Sequence, residues 1–195
     1  MRTLSPNQIE EAVELLLAEE LVVYPTDTLY GLGAILTKHA LGKLFEAKRR
    51  DNKPVSITVA STEEIEKYAV VDATLLKKFL PGPLTVLLRK KQTVPNSLTL
   101  GSELVGIRVP DNPIALELAS RCGALTATSA NVSGERPAVE PNEVNVSASA
   151  VIDGGKLSGE PSTIVDLVNL KILRCGAGAD AAKALLNSFK AANCP

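Results

Sequence analysis

At 195 residues, with a formal net charge of -1 and 45% hydrophobic residues, the chain has the size of one domain and enough apolar material for a core. That charge excludes a global basic footprint for nucleic acid or an acidic membrane surface, so any cationic site has to be local. Three cysteines (Cys122, Cys175 and Cys194) fit neither a disulfide framework nor a Cys-x-x-Cys metal pair, which points to a reducing compartment.

Tryptophan is absent and Phe and Tyr number three each, which leaves a core of Leu, Val, Ile and Ala. Such a core suits a buried sheet covered by helices. Ser5-Pro6-Asn7-Gln8 has the form of a helix start: Ser as cap, Pro in the first helical position, Gln three after the cap. Ile9, Ala12, Val13, Leu16 and Leu17 follow at helical spacing, with Glu10, Glu11, Glu14 and Glu19 opposite. Residues 21–24 predict a strand that stops at Pro25. The stretch 24–33 then sets Thr26 and Thr28 around Asp27, and Gly31 and Gly33 around Leu32. Strand ends of this kind carry sites in α/β proteins. Pro, Thr, Asp and Gly are equally ordinary turn residues, so the stretch alone leaves both readings open. Leu41, Leu44, Phe45 and Lys48 share a helix face that ends in the basic residues 48–50, and such residues suit a helix C-terminus in any case.

Residues 55–60 predict a second strand. Ser61-Thr62-Glu63-Glu64 is a capping box for a short helix through Tyr68. A helix over 73–80, with Leu75, Leu76, Phe79 and Leu80 inward, should stop hard at Pro81-Gly82-Pro83. Residues 84–88 form a strand with Arg89-Lys90-Lys91 as its solvated end. Residues 105–109 form another, with Arg108 in its apolar middle. Asp111-Asn112-Pro113 starts a helix that ends near Gly123. Residues 125–128 are a strand broken by the turn 129–134. Residues 134–150, rich in Pro, Glu, Asn, Ser and Ala, read as a flexible loop with a short helix. A short strand over 151–153, an antiparallel pair over 162–167 and 171–174, and a helix over 180–190 complete the chain. This order predicts a single α/β (α+β) domain over 1–195 with a mixed sheet. No signal peptide or spanning segment is visible, so the expectation is a soluble, cytoplasmic protein with no membrane contact.

The common phosphate-binding loop G-x-x-x-x-G-K-[ST] is missing. Gly176 to Ala181 fits G-x-G-x-x-A, but too little chain follows for a ribose-binding acid, so it reads as a helix-start turn. His39 is the sole histidine and lies in a polar helix start, which speaks against a triad. No cluster suggests metal ligation by protein side chains. What remains is a scattered set of cations: Lys48, Arg50, Lys53, Arg108 and Arg174. A guanidinium in an apolar strand needs a partner or a ligand, which singles out Arg108 and Arg174. Ser129 and Asn131 leave a strand in a small-residue turn able to aim amides and hydroxyls at an anion. Several such donors on one cleft would suit a nucleoside triphosphate, but periodicity does not show that they converge.

Seven ordered motifs carry a resemblance. They are Tyr24-Pro-Thr-Asp-Thr-Leu-Tyr-Gly-Leu-Gly33, Lys48-Arg-Arg50 with Lys53-Pro54, Leu80-Pro-Gly-Pro-Leu-Thr85, Val105-Gly-Ile-Arg-Val-Pro110, Thr128-Ser-Ala-Asn-Val-Ser-Gly134, Ser162-Thr-Ile-Val-Asp166 and Ile172-Leu-Arg174. Together they make the chain similar to the YrdC family, the threonylcarbamoyl-AMP synthases. Two departures stand out. The segment from Arg50 to Lys53 is one residue shorter than the family's usual form, and Cys175 replaces a usual proline after Arg174.

The resemblance implies an open, twisted mixed sheet flanked by helices around a positively lined cleft. It implies an enzyme that joins L-threonine, bicarbonate and ATP, with Mg²⁺ on the phosphates, to give threonylcarbamoyl-AMP and pyrophosphate. A downstream threonylcarbamoyl transferase, of KEOPS type or its bacterial equivalent, would then modify an adenosine beside the tRNA anticodon, and weak tRNA binding would be in keeping. Carried over by position, Lys48 and Arg50 would be catalytic, and Arg50, Lys53, Ser129, Asn131 and Arg174 would hold the nucleotide. Thr28, Thr58, Arg108 and Ser162 would hold threonine, and Thr26 with Lys48 the bicarbonate. Ala127 and Leu104 would add backbone contacts. No role falls to Asp27. Two rival readings are a carbamoyl-AMP-forming enzyme of hydrogenase maturation, which should be much longer and cysteine-rich, and an RNA-binding module without catalysis.

Overall fold

The computed structural model describes residues 1–49 and 53–192. Arg50 therefore lies outside the described residues. In chain order the elements are β1 (Arg2–Leu4), α1 (Ile9–Leu17), β2 (Val22–Tyr24), β3 (Gly31–Gly33), α2 (Lys38–Lys48), β4 (Ser56–Thr58), α3 (Ile65–Tyr68) and β5 (Leu84–Arg89). Then follow α4 (Asn96–Thr99), β6 (Leu104–Arg108), α5 (Pro113–Cys122), β7 (Leu125–Ala127), β8 (Ala150–Ile152), β9 (Thr163–Asp166), β10 (Lys171–Arg174) and α6 (Ala179–Ala192).

The helix signals act where the sequence places them. The amide of Ser5 donates to Gln8 Oε1 at 3.0 Å, closing the expected capping box. Ala12, Val13 and Leu16 are the buried stripe of α1. Asn112 Oδ1 accepts from the amides of Ile114 and Ala115 and starts α5. Gly178, at φ +78°, turns the chain into α6, so the G-x-G-x-x-A match is a helix-start turn.

Some expectations change. The segment 73–80 is a single 3₁₀ turn, Ala73–Leu75, followed by looser turns. Asp72 caps it by accepting from Thr74 N, and Pro81 disfavours helix in the residue before it, so too few residues remain for a stable helix. Leu76 and Leu80 are still buried. The first residues, expected to lead straight into a helix, instead add β1 alongside β8 in parallel. The loop from 134 to 150 holds the expected short helix, a 3₁₀ turn at Pro141–Glu143, and is anchored by buried Ala138 and Val146.

Where one mixed sheet was expected, two ladders form. Their orders are β1-β8-β2-β3 and β10-β9-β5-β6-β4-β7, each with parallel and antiparallel pairs. They join along β3 and β7. The Leu32 amide donates to Thr128 O at 2.8 Å, Ala130 N to Tyr30 O at 2.8 Å and Thr126 N to Ala34 O at 3.0 Å. The glycine stretch is thus a strand, not a loop. Its glycines make room for a side chain of the neighbouring strand: a Cβ on Gly33 would lie 2.9 Å from the Tyr24 ring, and one on Gly31 3.2 Å. One core, with Leu32, Leu44, Ile57, Val86 and Ile107, is packed with residues of α2 and α6. A second, with Leu16, Val22, Leu118 and Leu125, lies under α1 and α5.

Candidate functional site

The curved sheet leaves a cleft of about 310 Å³ where the two ladders meet. Its walls come from strand ends and the turns after them. Thr28 follows β2, Thr58 and Arg108 end the parallel pair β4 and β6, and Ser129 follows β7. Ser162 precedes β9, and Arg174 ends β10. Strands of opposite direction bring these residues together, so chain order hides their nearness. Thr58 and Arg108 are direct neighbours across the β4–β6 ladder.

The hydroxyls have fixed senses. Tyr24, fully buried, donates to Thr126 O at 2.9 Å. Burial raises its pKa, opposed by the Thr58 hydrogen bond and the charge of Arg108, so the phenol keeps its proton. With that proton committed, Thr58 Oγ1, 3.1 Å away, donates to Tyr24 and presents lone pairs to the cleft. Thr26 follows the same logic. Its hydroxyl donates to Leu29 O at 2.7 Å and accepts from the amides of Thr28 and Leu29. Thr28 Oγ1, 3.1 Å from Thr26 Oγ1, is then the donor between them and also offers lone pairs outward. Two acceptors, Thr28 and Thr58, therefore face a cleft whose other wall is cationic.

That wall is Arg108 and Arg174. Burial pushes the Arg108 guanidinium down from its ordinary value, opposed by the charge and the hydrogen bond of Asp27. Arg174 is an exposed residue whose guanidinium is only partly desolvated; that desolvation lowers it, helped by repulsion from Arg108. Arg174 donates through Nε and Nη2 to Ser162 O at 3.1 and 2.8 Å. Ser162 Oγ lies 2.9 Å from Thr85 Oγ1. Two guanidiniums lining one cleft favour an anionic ligand there. Asp27 supplies one counter-charge, with Arg108 Nη2 donating to its Oδ1 at 2.5 Å.

Most of the other expected residues lie elsewhere. Lys48, 2% exposed, ends α2 beneath the turn after β7, where its ammonium donates to Ser129 O at 2.5 Å and Asn131 O at 2.8 Å. It holds that turn and does not line the cleft. Asn131 is buried under the same turn and donates to the carbonyls of Val132 and Glu135, with Oδ1 unpartnered. Lys53 is exposed and outside the lining. Thr26 lines the cleft, but its oxygen is already saturated by the contacts above, which leaves it little capacity for bicarbonate. Leu104 pairs with Arg89 at the far end of β6, about 13 Å along the strand from Arg108, and is outside the cleft lining. Ala127 does line the cleft. Tyr24 and Thr85 were not singled out by sequence, although both sit inside quoted motifs. Their role is to orient Thr58 and Ser162, which no periodicity reveals.

Fold and site together define an α/β protein with a cleft at the join of two ladders, lined by two guanidiniums and several hydroxyls, a polarity that suits a small ligand carrying a carboxylate and hydrogen-bond donors. Comparison with known proteins narrows this. Residues 14–176 match the Sua5_yciO_yrdC family model, described as "Telomere recombination". A protein of Methanocaldococcus jannaschii is 42% identical over 164 residues, covering 79% of this chain and 77% of that protein. The threonylcarbamoyl-AMP synthase of Pyrococcus abyssi is 40% identical over 162 residues, covering 76% of this chain but 47% of its own length. The crystal structure of P. abyssi Sua5 complexed with L-threonine superposes with a TM-score of 0.82 at 34% identity, over 90% of this chain and 57% of that one. The chain belongs to the Sua5/YciO/YrdC family. It spans about half the length of the P. abyssi relative.

Proposed function

We propose that the protein is a threonylcarbamoyl-AMP synthase that joins L-threonine, bicarbonate and ATP. The observation that carries this is the polarity of the cleft: Arg108 donates on one side, and Thr28 and Thr58 accept on the other. An α-amino acid with a hydroxyl side chain complements that pattern. Its carboxylate would meet Arg108, and its ammonium or hydroxyl the two threonines. The volume, about 310 Å³, lies at the small end of ligand pockets and suits an amino acid, with the triphosphate reaching toward Arg174 and the Ser129 turn. The name of the P. abyssi relative and the threonine complex of the P. abyssi structure support the same reading.

In this mechanism the cleft positions the threonine amine, which loses its proton to solvent and attacks the carbon of bicarbonate. Water leaves and a carbamate forms. A carbamate oxygen then attacks the α-phosphorus of ATP, and pyrophosphate departs with the electron pair of the bridging P–O bond. Arg174, the Ser129 turn and Lys53 would hold the phosphates and Arg50 would join them. Lys48 would act by fixing that turn. No protein nucleophile is needed, so positioning and fixed positive charge carry the rate. Among the described residues no His, Cys, Asp and Glu cluster could hold a metal ion, and no carboxylate lines the cleft. These residues do not form a Mg²⁺ site of their own; the ion would enter on the triphosphate, whose charge it would partly neutralise.

The product would pass to a threonylcarbamoyl transferase acting on the adenosine beside the tRNA anticodon, with at most weak tRNA binding by this chain. Among the described residues no helix is long and apolar enough to cross a membrane, and we place the activity in the cytoplasm. The test is pyrophosphate release from MgATP by purified protein. Release should require both L-threonine and bicarbonate. Release with bicarbonate and carbamoyl phosphate but without threonine would favour the carbamoyl-AMP reaction, and no release at all would favour a binding module.

A further inference from the structure

Asp27 stands between the cleft residues Thr26 and Thr28, yet its carboxylate is not part of the lining. It points behind the cleft at Arg108, with the two side chains 13% and 10% exposed. The pair is half made. Nη2 donates to Oδ1 at 2.5 Å, while Asp27 Oδ2 and Arg108 Nε are buried and without partners. A bidentate fork would use both oxygens and two nitrogens. Asp27 thus grips Arg108 by one corner. The Nη1 corner has no protein partner among the described residues, and Arg108 lines the cleft.

Charge makes this grip consequential. Arg108 is buried and its charge reaches Arg174, so the fixed Asp27 carboxylate offsets a positive charge that burial leaves poorly solvated. The backbone that carries Asp27 is itself pinned. Thr26 ties it through three hydrogen bonds, the Gly159 amide donates to Thr28 O at 3.1 Å, and Ser158 Oγ donates to Asp27 O at 3.3 Å. A pinned carboxylate against one corner of a guanidinium fixes which way the other corners face.

Resting on the synthase reading above, we propose that Asp27 is the positioning residue for amino-acid recognition. It clamps the Nη2 corner of Arg108 so that Nη1 meets the carboxylate of L-threonine. Asp27 touches neither substrate nor the reacting atoms.

The variant Asp27→Asn keeps the shape and removes the charge. Calorimetry with L-threonine and with ATP, thermal melts and steady-state kinetics form the test. Threonine should bind about 30-fold more weakly, and its KM should rise in step. ATP affinity should change less than about twofold, and kcat at saturating threonine less than about threefold. Unchanged threonine affinity in folded protein overturns the proposal. So does an equal loss for both ligands, which a merely structural acid would produce, and so does a fall in kcat at unchanged KM. If Asp27→Asn shows no melting transition, Asp27→Glu carries the test. It keeps the charge but shifts the clamp by one methylene, and should weaken threonine about fivefold at unchanged ATP affinity. Unchanged threonine affinity in that variant again refutes the clamp. Wild-type protein that binds threonine but releases no pyrophosphate overturns the synthase reading while leaving the clamp testable; wild type that binds no threonine overturns both.

Discussion

Lys48→Met separates a structural cation from a reacting one. The wild-type ammonium is buried and donates to Ser129 O at 2.5 Å and Asn131 O at 2.8 Å. Methionine keeps the apolar stem and removes the donor. Ser129 O retains the Asn131 amide at 3.0 Å, so the Asn131 carbonyl loses most. A charge-assisted hydrogen bond is worth about 1.5–3 kcal/mol, and a carbonyl left unsatisfied costs about 1–3 kcal/mol. Relief of the buried charge offsets part of this, so the net loss should be about 2–3 kcal/mol. For a domain of this size that corresponds to a melting temperature lower by about 4–12 °C. Circular-dichroism melts give the shift, and calorimetry gives the ligand effects. Threonine should still bind within about twofold, because Arg108, Thr28 and Thr58 are untouched, while ATP should bind more weakly because the Ser129 turn loosens. A variant that melts within about 1 °C of wild type yet loses all turnover would refute the tie and return Lys48 to the reacting groups.

Two further outcomes follow from packing and charge. Gly33→Ala would set a Cβ 2.9 Å from the Tyr24 ring and 3.1 Å from Val22 O, so it should cost about 1–3 kcal/mol in chemical denaturation and displace the Tyr24–Thr58 hydrogen bond; wild-type stability would refute the packing argument. Glu63 is lowered from its usual 4.5 to about 2, chiefly by its hydrogen bond to Lys77, which lies 2.8 Å away. Because the folded pKa is depressed, the unfolded chain binds more protons between these values. The contribution is complete above about pH 4.5 and is lost as pH falls toward about 2. The melting difference between wild type and Lys77→Met should therefore vanish near the acid end and shrink with salt; a gap independent of pH would refute it.

Much of the molecule follows from local sequence. The caps at Ser5 and Asn112, the apolar stripe of α1 and the antiparallel β9–β10 pair are set by side chains acting within a few residues, which is why they are legible. Arg108 could likewise be singled out, because a guanidinium in an apolar strand requires a partner wherever the strand goes. The identity of that partner could not. Asp27 and Arg108 are 81 residues apart and meet only because β2 and the β4–β6 pair end at one cleft. The same holds for Lys48. Its sequence setting, a basic helix end, is compatible with a ligand contact, and only the approach of the turn after β7 commits it to two carbonyls. The glycines of β3 read in sequence as ordinary turn residues and proved restrictive in space, since the Tyr24 ring fills the volume beside them. Sequence by itself determined most of the elements, the family resemblance and which residues were out of place. Tertiary structure decided which of them share a cleft and which way each hydroxyl points, because convergence and hydrogen-bond direction depend on long-range contacts that no local pattern encodes.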